Sequence, residues 1–514
     1  MKARFSRLEA QTSLINPVKY PFRTREISNH IEVLSRIAEG VMLVRGLEPE
    51  FSPAVHEQLE KIQNPAREND SSIVDLRNLP WCSIDNDDSR DLDQLTVMRK
   101  DSGHDYHLLV AIADVDALIK KGTPIDEHAF INTRSVYTSA RIFPMLPLKL
   151  STNLSSLNPG EDRLAIVCEM HFSKEGDLKK STIYRALVRN QIQLAYDASS
   201  EWLEGRGQLS EKAAAVPDLG WQLKIQDELA QKLRVKRHEN GSLEFDIFQP
   251  RANFVGNTIA EIRQQDHNRA RQLIEEFMIA TNGCTSRFLG RAGIYSMRRV
   301  VRSPERWLRI VKVALEHGYT LPNDPDAQAL EAFLAKQHRE DPIRFPDLSL
   351  LIVKLMGSGE YIVEKPTSHP IGHFGLAVSD YMHSTAPNRR YPDIVTLRLI
   401  KSVLAGQEPP YSVGELKAMA LHCTIQEDVT KKVERQLRKS EAALLLHDRI
   451  GQYFNGIVSG VNEKGTWVRI FNPPVEGRLI NAKDHFLVGR LLRVKLISTH
   501  VERGFIDFVT GVEN

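Results

Sequence analysis

The stretch Cys82-Ser-Ile-Asp85-Asn-Asp87-Asp88-Ser-Arg-Asp91-Leu-Asp93-Gln94-Leu95 places five aspartates within nine positions and runs into the strand-like segment Leu95-Thr-Val-Met98. Like charge so dense on a short loop raises its own carboxyl pKa values and is costly unless cations neutralise it. A divalent metal is the natural occupant, and a solvated acidic turn is the plain alternative. An EF-hand loop is excluded: counting from Asp85, position 6 is Arg90 where a turn glycine is required, and position 12 is Thr96 where a bidentate glutamate belongs. What remains is a hard-cation site with a few carboxylates and open positions, the arrangement with which enzymes present Mg2+ to phosphate oxygens. That points to phosphodiester chemistry.

Outward from the loop, the chain of 514 residues, 41% hydrophobic, is long enough for two to four domains. No apolar run approaches the length of a membrane span, and the first residues lack the apolar core of a signal peptide, so a cytoplasmic protein is expected. Cys82, Cys168, Cys284 and Cys423 are scattered without C-x-x-C pairing, which speaks against a zinc ribbon or a disulfide framework. With a net charge of only +2, any nucleic-acid contact must rest on local basic patches and not on a global field.

Three parts are expected. Residues 1–75 read as a small helical segment, with Ile31, Leu34, Ile37, Ala38 and Val41 at helical spacing and Ser52-Pro53 as the N-cap and first position of a second helix. Residues 76–450 mix strands and helices, including a hairpin around Asp101-Ser-Gly103, a long helix carrying Leu273, Phe277, Ala280, Cys284 and Phe288, and another from Lys431 to Leu446. Residues 451–514 alternate apolar and polar positions between glycine turns in five short strands, the count for an OB barrel. The fold class is therefore α+β: a mixed sheet surrounded by helices, followed by a five-stranded barrel. That barrel offers Trp467 or Phe471 for base stacking and Arg469, Arg478 and Arg490 for phosphates, with barrel core as the alternative for the aromatics.

Two further features stand out. Arg389, in Thr385-Ala-Pro-Asn-Arg389-Arg390-Tyr-Pro-Asp393, precedes a helical pattern whose N-terminus attracts anions, although a surface Arg-Arg pair is the plain reading. Glu441 lies on the stripe formed by Val433, Leu437, Leu444 and Leu445, where a carboxylate must be paired or functional; Arg438 could simply satisfy it.

Taken together, the acidic loop, Leu108-Leu-Val-Ala-Ile-Ala-Asp114, Arg134-Ser-Val-Tyr137, Phe143-Pro-Met-Leu-Pro147, Ile274-Glu275-Glu276-Phe277, His373-Phe-Gly-Leu376 and the Arg389 segment resemble, in order, the ribonuclease II and ribonuclease R family. The resemblance runs from about Asp75 to the chain end. It implies an RNB catalytic domain and an S1-type barrel; the family usually carries cold-shock domains ahead of these, and residues 1–75, too short and too helical to hold two, are expected to depart from it as a short form. It also implies a processive 3′-to-5′ exoribonuclease that hydrolyses single-stranded RNA to nucleoside 5′-monophosphates with Mg2+, or alternatively Mn2+, as a monomer without an obligate protein partner.

Carried onto this sequence, the resemblance puts Asp85, Asp91 and Asp93 on three of the family's metal-site aspartates. Gln94 stands where the fourth is expected; its carbonyl can ligate Mg2+ but brings no charge, which Asp87 or Asp88 could supply. Arg389 takes the place of the arginine at the scissile phosphate, with Arg390 the weaker candidate, and Glu441 that of a glutamate near the active centre. Tyr137 and Phe245 would form the jaws of a base clamp. Glu275, preferred over Glu276, would face the substrate channel near a ribose hydroxyl. Two rivals stay open: a catalytically weakened RNA-binding member, because of Gln94, and an Asp-rich metal phosphoesterase acting on small nucleotides or DNA.

Overall fold

The computed structural model describes residues 29–100, 105–246, 250–264, 268–366, 370–463, 465–480 and 486–511. The expected Asp101–Gly103 hairpin tip and the first 28 residues lie outside them. The centre is a seven-stranded mixed sheet built from β1 (Val74–Asp75), β2 (Cys82–Asp85), β3 (Gln94–Arg99), β4 (Tyr106–Ala113), β7 (Asp162–Phe172), β8 (Leu178–Arg189) and β9 (Ile192–Ala195), in the order β1-β8-β7-β4-β3-β2-β9. The short β5 (Val136–Tyr137) and β6 (Ile142–Phe143) pair separately. β1 and β9 join in parallel and the remaining pairs are antiparallel. β4 is buried along its whole length, as its continuous apolar run Leu108–Ala113 requires of a strand covered on both faces.

Helices cover the sheet. Leu219–Glu239 lays two glutamines onto β3: Gln226 Oε1 accepts from the Thr96 hydroxyl at 2.8 Å, and Gln222 Oε1 accepts from the Met98 N–H at 3.0 Å. These bonds satisfy polar groups that would otherwise be buried unpaired. Arg269–Arg291 buries the stripe Leu273, Phe277, Cys284 and Leu289 in the same core. Trp307–Glu316, Ala327–Glu340 and Phe345–Met356 gather around a separate small core that includes Ile310 and Phe333.

The longest helix, Val413–Leu445, begins at a capping box in which Ser412 and Glu415 satisfy each other's backbone N–H groups. Its 33 residues extend for about 50 Å. Its N-terminal part packs on the main core through Leu416, Ala420 and Cys423, and its C-terminal part enters a second core through Val433, Leu437 and Leu444. The second core also takes in Leu34 and Ala38 of the helix His30–Val44 and the interior of a closed barrel. The barrel strands are Tyr453–Asn462, Gly465–Phe471, Pro474–Leu479, Leu491–His500 and Phe505–Thr510. No helix among the described residues is long and apolar enough to cross a membrane.

In the barrel, Val468 and Ile470 point inward, while Trp467 is half-buried and Phe471 exposed, so neither aromatic is barrel core. Arg469 is not held in reserve for phosphate: its guanidinium pairs with Asp347 at 2.8 Å, joining the barrel to the helix Phe345–Met356. At Gly477 an added Cβ would press into the Phe508 ring and stand 2.8 Å from the Ile506 carbonyl oxygen. Gly477→Ala should therefore destabilise the barrel by about 1–3 kcal/mol through overpacking, read as a lower midpoint in denaturant titration.

Candidate active site

Three chain segments far apart in sequence converge at the end of β2. Asp85 closes β2, Gln94 opens β3, and the connecting loop is fixed by its backbone: the Leu92 N–H donates to Ser156 Oγ at 3.0 Å, the Leu92 carbonyl accepts from the Leu157 N–H, and the Asp93 carbonyl accepts from the Ala113 N–H. Asp93 is thereby held 1% exposed. Its side chain reaches across to the arginine segment, where Oδ1 accepts from the Asn388 N–H at 2.8 Å and Oδ2 from Arg389 Nε at 3.0 Å. Arg389 remains 43% exposed beyond that bond. Asp91, the outer member of the group, accepts from the Tyr137 hydroxyl at 3.0 Å.

The arginine segment is itself braced. Asp393, fully buried, takes the Ala386 N–H at 2.8 Å and both Nε and Nη2 of Arg390. Asn388 Oδ1 accepts from the Ser155 hydroxyl at 2.6 Å. Arg390 thus gives Nε and Nη2 to the scaffold, and it also lines the cavity beside the site.

Electrostatics follow from burial. The Asp85 carboxyl is pushed up to about 7 by burial, with Arg389 and the Gln94 amide opposing and Asp91 adding to the rise. Asp93 is also pushed up to about 7 by burial, against the pull of Arg389. Asp85 Oδ2 is buried and has no hydrogen-bond partner, while Oδ1 receives the Gln94 amide at 3.3 Å. Two buried carboxyls driven toward neutrality, one with an orphaned oxygen, fit a hard divalent cation, for which Asp85, Asp91 and Asp93 are the candidate ligands. Gln94 contributes a donor to this group through its amide nitrogen. Asp87 and Asp88, on the same loop, are exposed.

Beside these groups lies a cavity of about 190 Å3 lined by Thr133, Arg134, Tyr137, Tyr361, His383, Arg389, Arg390, Pro392 and Glu427. The Tyr361 hydroxyl and His383 Nδ1 stand 2.7 Å apart. Burial, with Arg390 and Arg299 adding to it, holds His383 well below the usual histidine range and therefore neutral.

The long helix reaches this cavity with glutamates other than the expected one. Glu434 Oε1 accepts from the Tyr137 N–H at 3.4 Å and pairs with Arg134 at 3.5 Å; Glu427 pairs with Arg299 and Lys431, each at 2.7 Å. Glu441, buried, sits seven residues beyond Glu434, about 10 Å further along the helix, among side chains of the second core. Among the described contacts, Glu434 is the one that reaches Tyr137 and Arg134. Phe245 packs on the core around Trp307 and Phe333. Arg237 holds Glu276 at 2.5 Å and also reaches Glu275 at 3.6 Å, whose side chain is 56% exposed. Sequence reasoning passed over Asn388, Glu427, Glu434, Tyr361 and His383; the first stands inside the quoted arginine segment, and the two glutamates sit at seven-residue spacing before Glu441.

A model of the RNB domain matches residues 73–406, and a model of the RNase II-type exonuclease C-terminal S1 domain matches residues 452–510. The chain belongs to the RNB family. Ribonuclease R of Escherichia coli strain K12 is 31% identical over 483 residues, covering 88% of this chain and 58% of that protein; Ribonuclease R of Aquifex aeolicus is also 31% identical, covering 84% and 64%. The chain thus spans under two thirds of the length of these relatives. The fold is similar to that of Mycoplasma genitalium RNase R, in its apo form and in complex with ribose methylated single-stranded RNA, each with a TM-score of 0.83 over 93% of this chain and 78% of that one, at 22% and 21% identity. It is also similar to yeast Ssd1, described as a pseudonuclease, with a TM-score of 0.68 over 88% of this chain and 56% of that one, at 17% identity.

Carboxyls whose folded pKa of about 7 lies above their ordinary 3.8 bind protons more tightly in the folded chain. Stability of the metal-free protein should then fall as pH rises through that window. Thermal denaturation in EDTA should give a lower midpoint at about pH 8 than at about pH 5, with the difference reduced in Asp85→Asn and by excess Mg2+.

Proposed function

We propose that this chain is a processive, Mg2+-dependent exoribonuclease that takes single-stranded RNA from its 3′ end and releases nucleoside 5′-monophosphates by two-metal hydrolysis. The observation that carries this reading is that Asp91 and Asp93, on the loop that begins at Asp85, bond to Tyr137 and Arg389, two residues that line the adjoining cavity. Direction, product and processivity rest on membership of the RNB family and on the Ribonuclease R relatives.

Divalent cations, when bound by the aspartates, supply an activated water and neutralise charge on the phosphate. The chain's own residues do the rest. Asp93 anchors Arg389 through Nε, so the exposed remainder of the guanidinium can stabilise the negative charge that develops on the phosphate oxygens. Tyr137, fixed at its hydroxyl by Asp91 and at its N–H by Glu434, presents a ring to the terminal base, and stacking on it tolerates any base. Gln94 leaves the site one carboxylate short, yet its amide hydrogen bond to Asp85 replaces a repulsion by an attraction. This favours an active enzyme over an RNA-binding relic.

The test is a time course on 5′-labelled single-stranded RNA with Mg2+ or EDTA. Shortening from the 3′ end that stops in EDTA and slows roughly a hundredfold or more in Asp93→Asn is the expected result. RNA that stays intact while still bound would reject the enzyme, and equal turnover of DNA would favour the phosphoesterase. A second comparison separates the glutamates of the long helix: Glu434→Ala should reduce turnover with little loss of stability, whereas Glu441→Ala should act chiefly on the melting temperature.

A further inference from the structure

We propose that His107, Glu169 and His171 form a transition-metal site, suited to Zn2+, that staples β4 to β7. The three residues come from strands whose register sets them face to face: His107 lies directly opposite His171, and Glu169, two residues before His171, shares its side of the sheet. One ligand atom from each side chain falls within 4.8 Å of the others. His107 Nε2 is 2.6 Å and His171 Nε2 3.7 Å from Glu169 Oε1, which brackets the separation of about 3.4 Å between neighbouring ligands of a tetrahedral zinc ion. The imidazole rings stack with centroids 4.0 Å apart, so both rings present Nε2 toward the same carboxylate.

A second layer is already built. The Tyr184 hydroxyl donates to Glu169 Oε2 at 2.6 Å, which fixes the carboxylate and leaves Oε1 turned to the two imidazoles. Two histidines and a carboxylate leave a coordination position for water, as in open zinc sites. Along β4 the cluster lies six residues, about 20 Å, from the Ala113 end that abuts Asp93, so it is separate from the aspartate group. A hydrogen-bonded His-Glu-His cluster without metal is the competing reading. Arg99, opposite His107 on β3, and Lys180, opposite His171 on β8, are the cations that such a site must tolerate.

The test is calorimetric titration of the full chain with Zn2+ while excess Mg2+ occupies the aspartate site. Binding of one Zn2+ per chain, weakened by more than about tenfold in both His171→Ala and Glu169→Gln, is the expected result, since even an outer-layer partner of a metal site causes a loss of that size. His171 is partly exposed, so His171→Ala carries the test alone if Glu169→Gln fails to fold. Absorption bands from Co2+ bound to wild type, absent in His171→Ala, provide the second readout. Failure of wild type to take up Zn2+, or uptake unaltered by His171→Ala, would overturn the assignment.

Discussion

The carboxylate of Asp93 is the constraint on which the site depends. It lies at the junction of two segments 295 residues apart, and it holds both through one backbone N–H and one guanidinium nitrogen. A lone ionised carboxyl buried this deeply would abandon its charge. Arg389 opposes that, and in doing so is itself oriented. The cost appears at Asp85, whose second oxygen is buried without a protein donor, an unfavourable interaction that a cation or a proton would relieve. Asp393 performs the same service one layer back: by gathering Arg390 and the Ala386 N–H it keeps the arginine segment in the shape that lets Asn388 and Arg389 face Asp93.

The parts legible in the sequence are those whose physics is local. The acidic loop declares itself by charge density, and the barrel by alternation between glycine turns, because each signal is complete within a few residues. The long helix was legible as a helix but not in its register. Glu427, Glu434 and Glu441 are spaced by seven, so they fall within about 20° per step of one helix face. No periodicity argument can separate them. Only the three-dimensional path decides, since the helix leaves the cavity after Glu434 and runs on into the second core, turning the same apolar stripe to a different purpose.

Phe245 stands in irregular chain, where no period fixes the direction of a side chain, and the structure packs it against the small helical core. Gln94 shows a subtler limit. Composition says that a charge is missing, but only placement shows the amide turned toward Asp85 as a donor. His107 and His171 are 64 residues apart, and their meeting depends wholly on the register of β4 against β7.

The second core bears on how the barrel can serve the cavity. The barrel is not suspended on a linker: Gln436 Nε2 donates to the Glu502 carbonyl at 3.2 Å, Gly504 lies against the backbone at Lys439 with no room for a Cβ, and Arg469 reaches Asp347. The first two contacts tie the barrel to the same helix that carries Glu427 and Glu434, and the third ties it to the helix Phe345–Met356. On the exoribonuclease reading, a strand gripped by the exposed Phe471 and Arg478 is then held at a fixed distance from Tyr137, and the helix sets that distance. Lys432, Arg435, Arg438 and Lys439 line the exposed side of the helix between the two ends. Exposed cations at that spacing attract a phosphate backbone without reading its bases, so the span would guide the strand while leaving selection of the terminal nucleotide to the cavity.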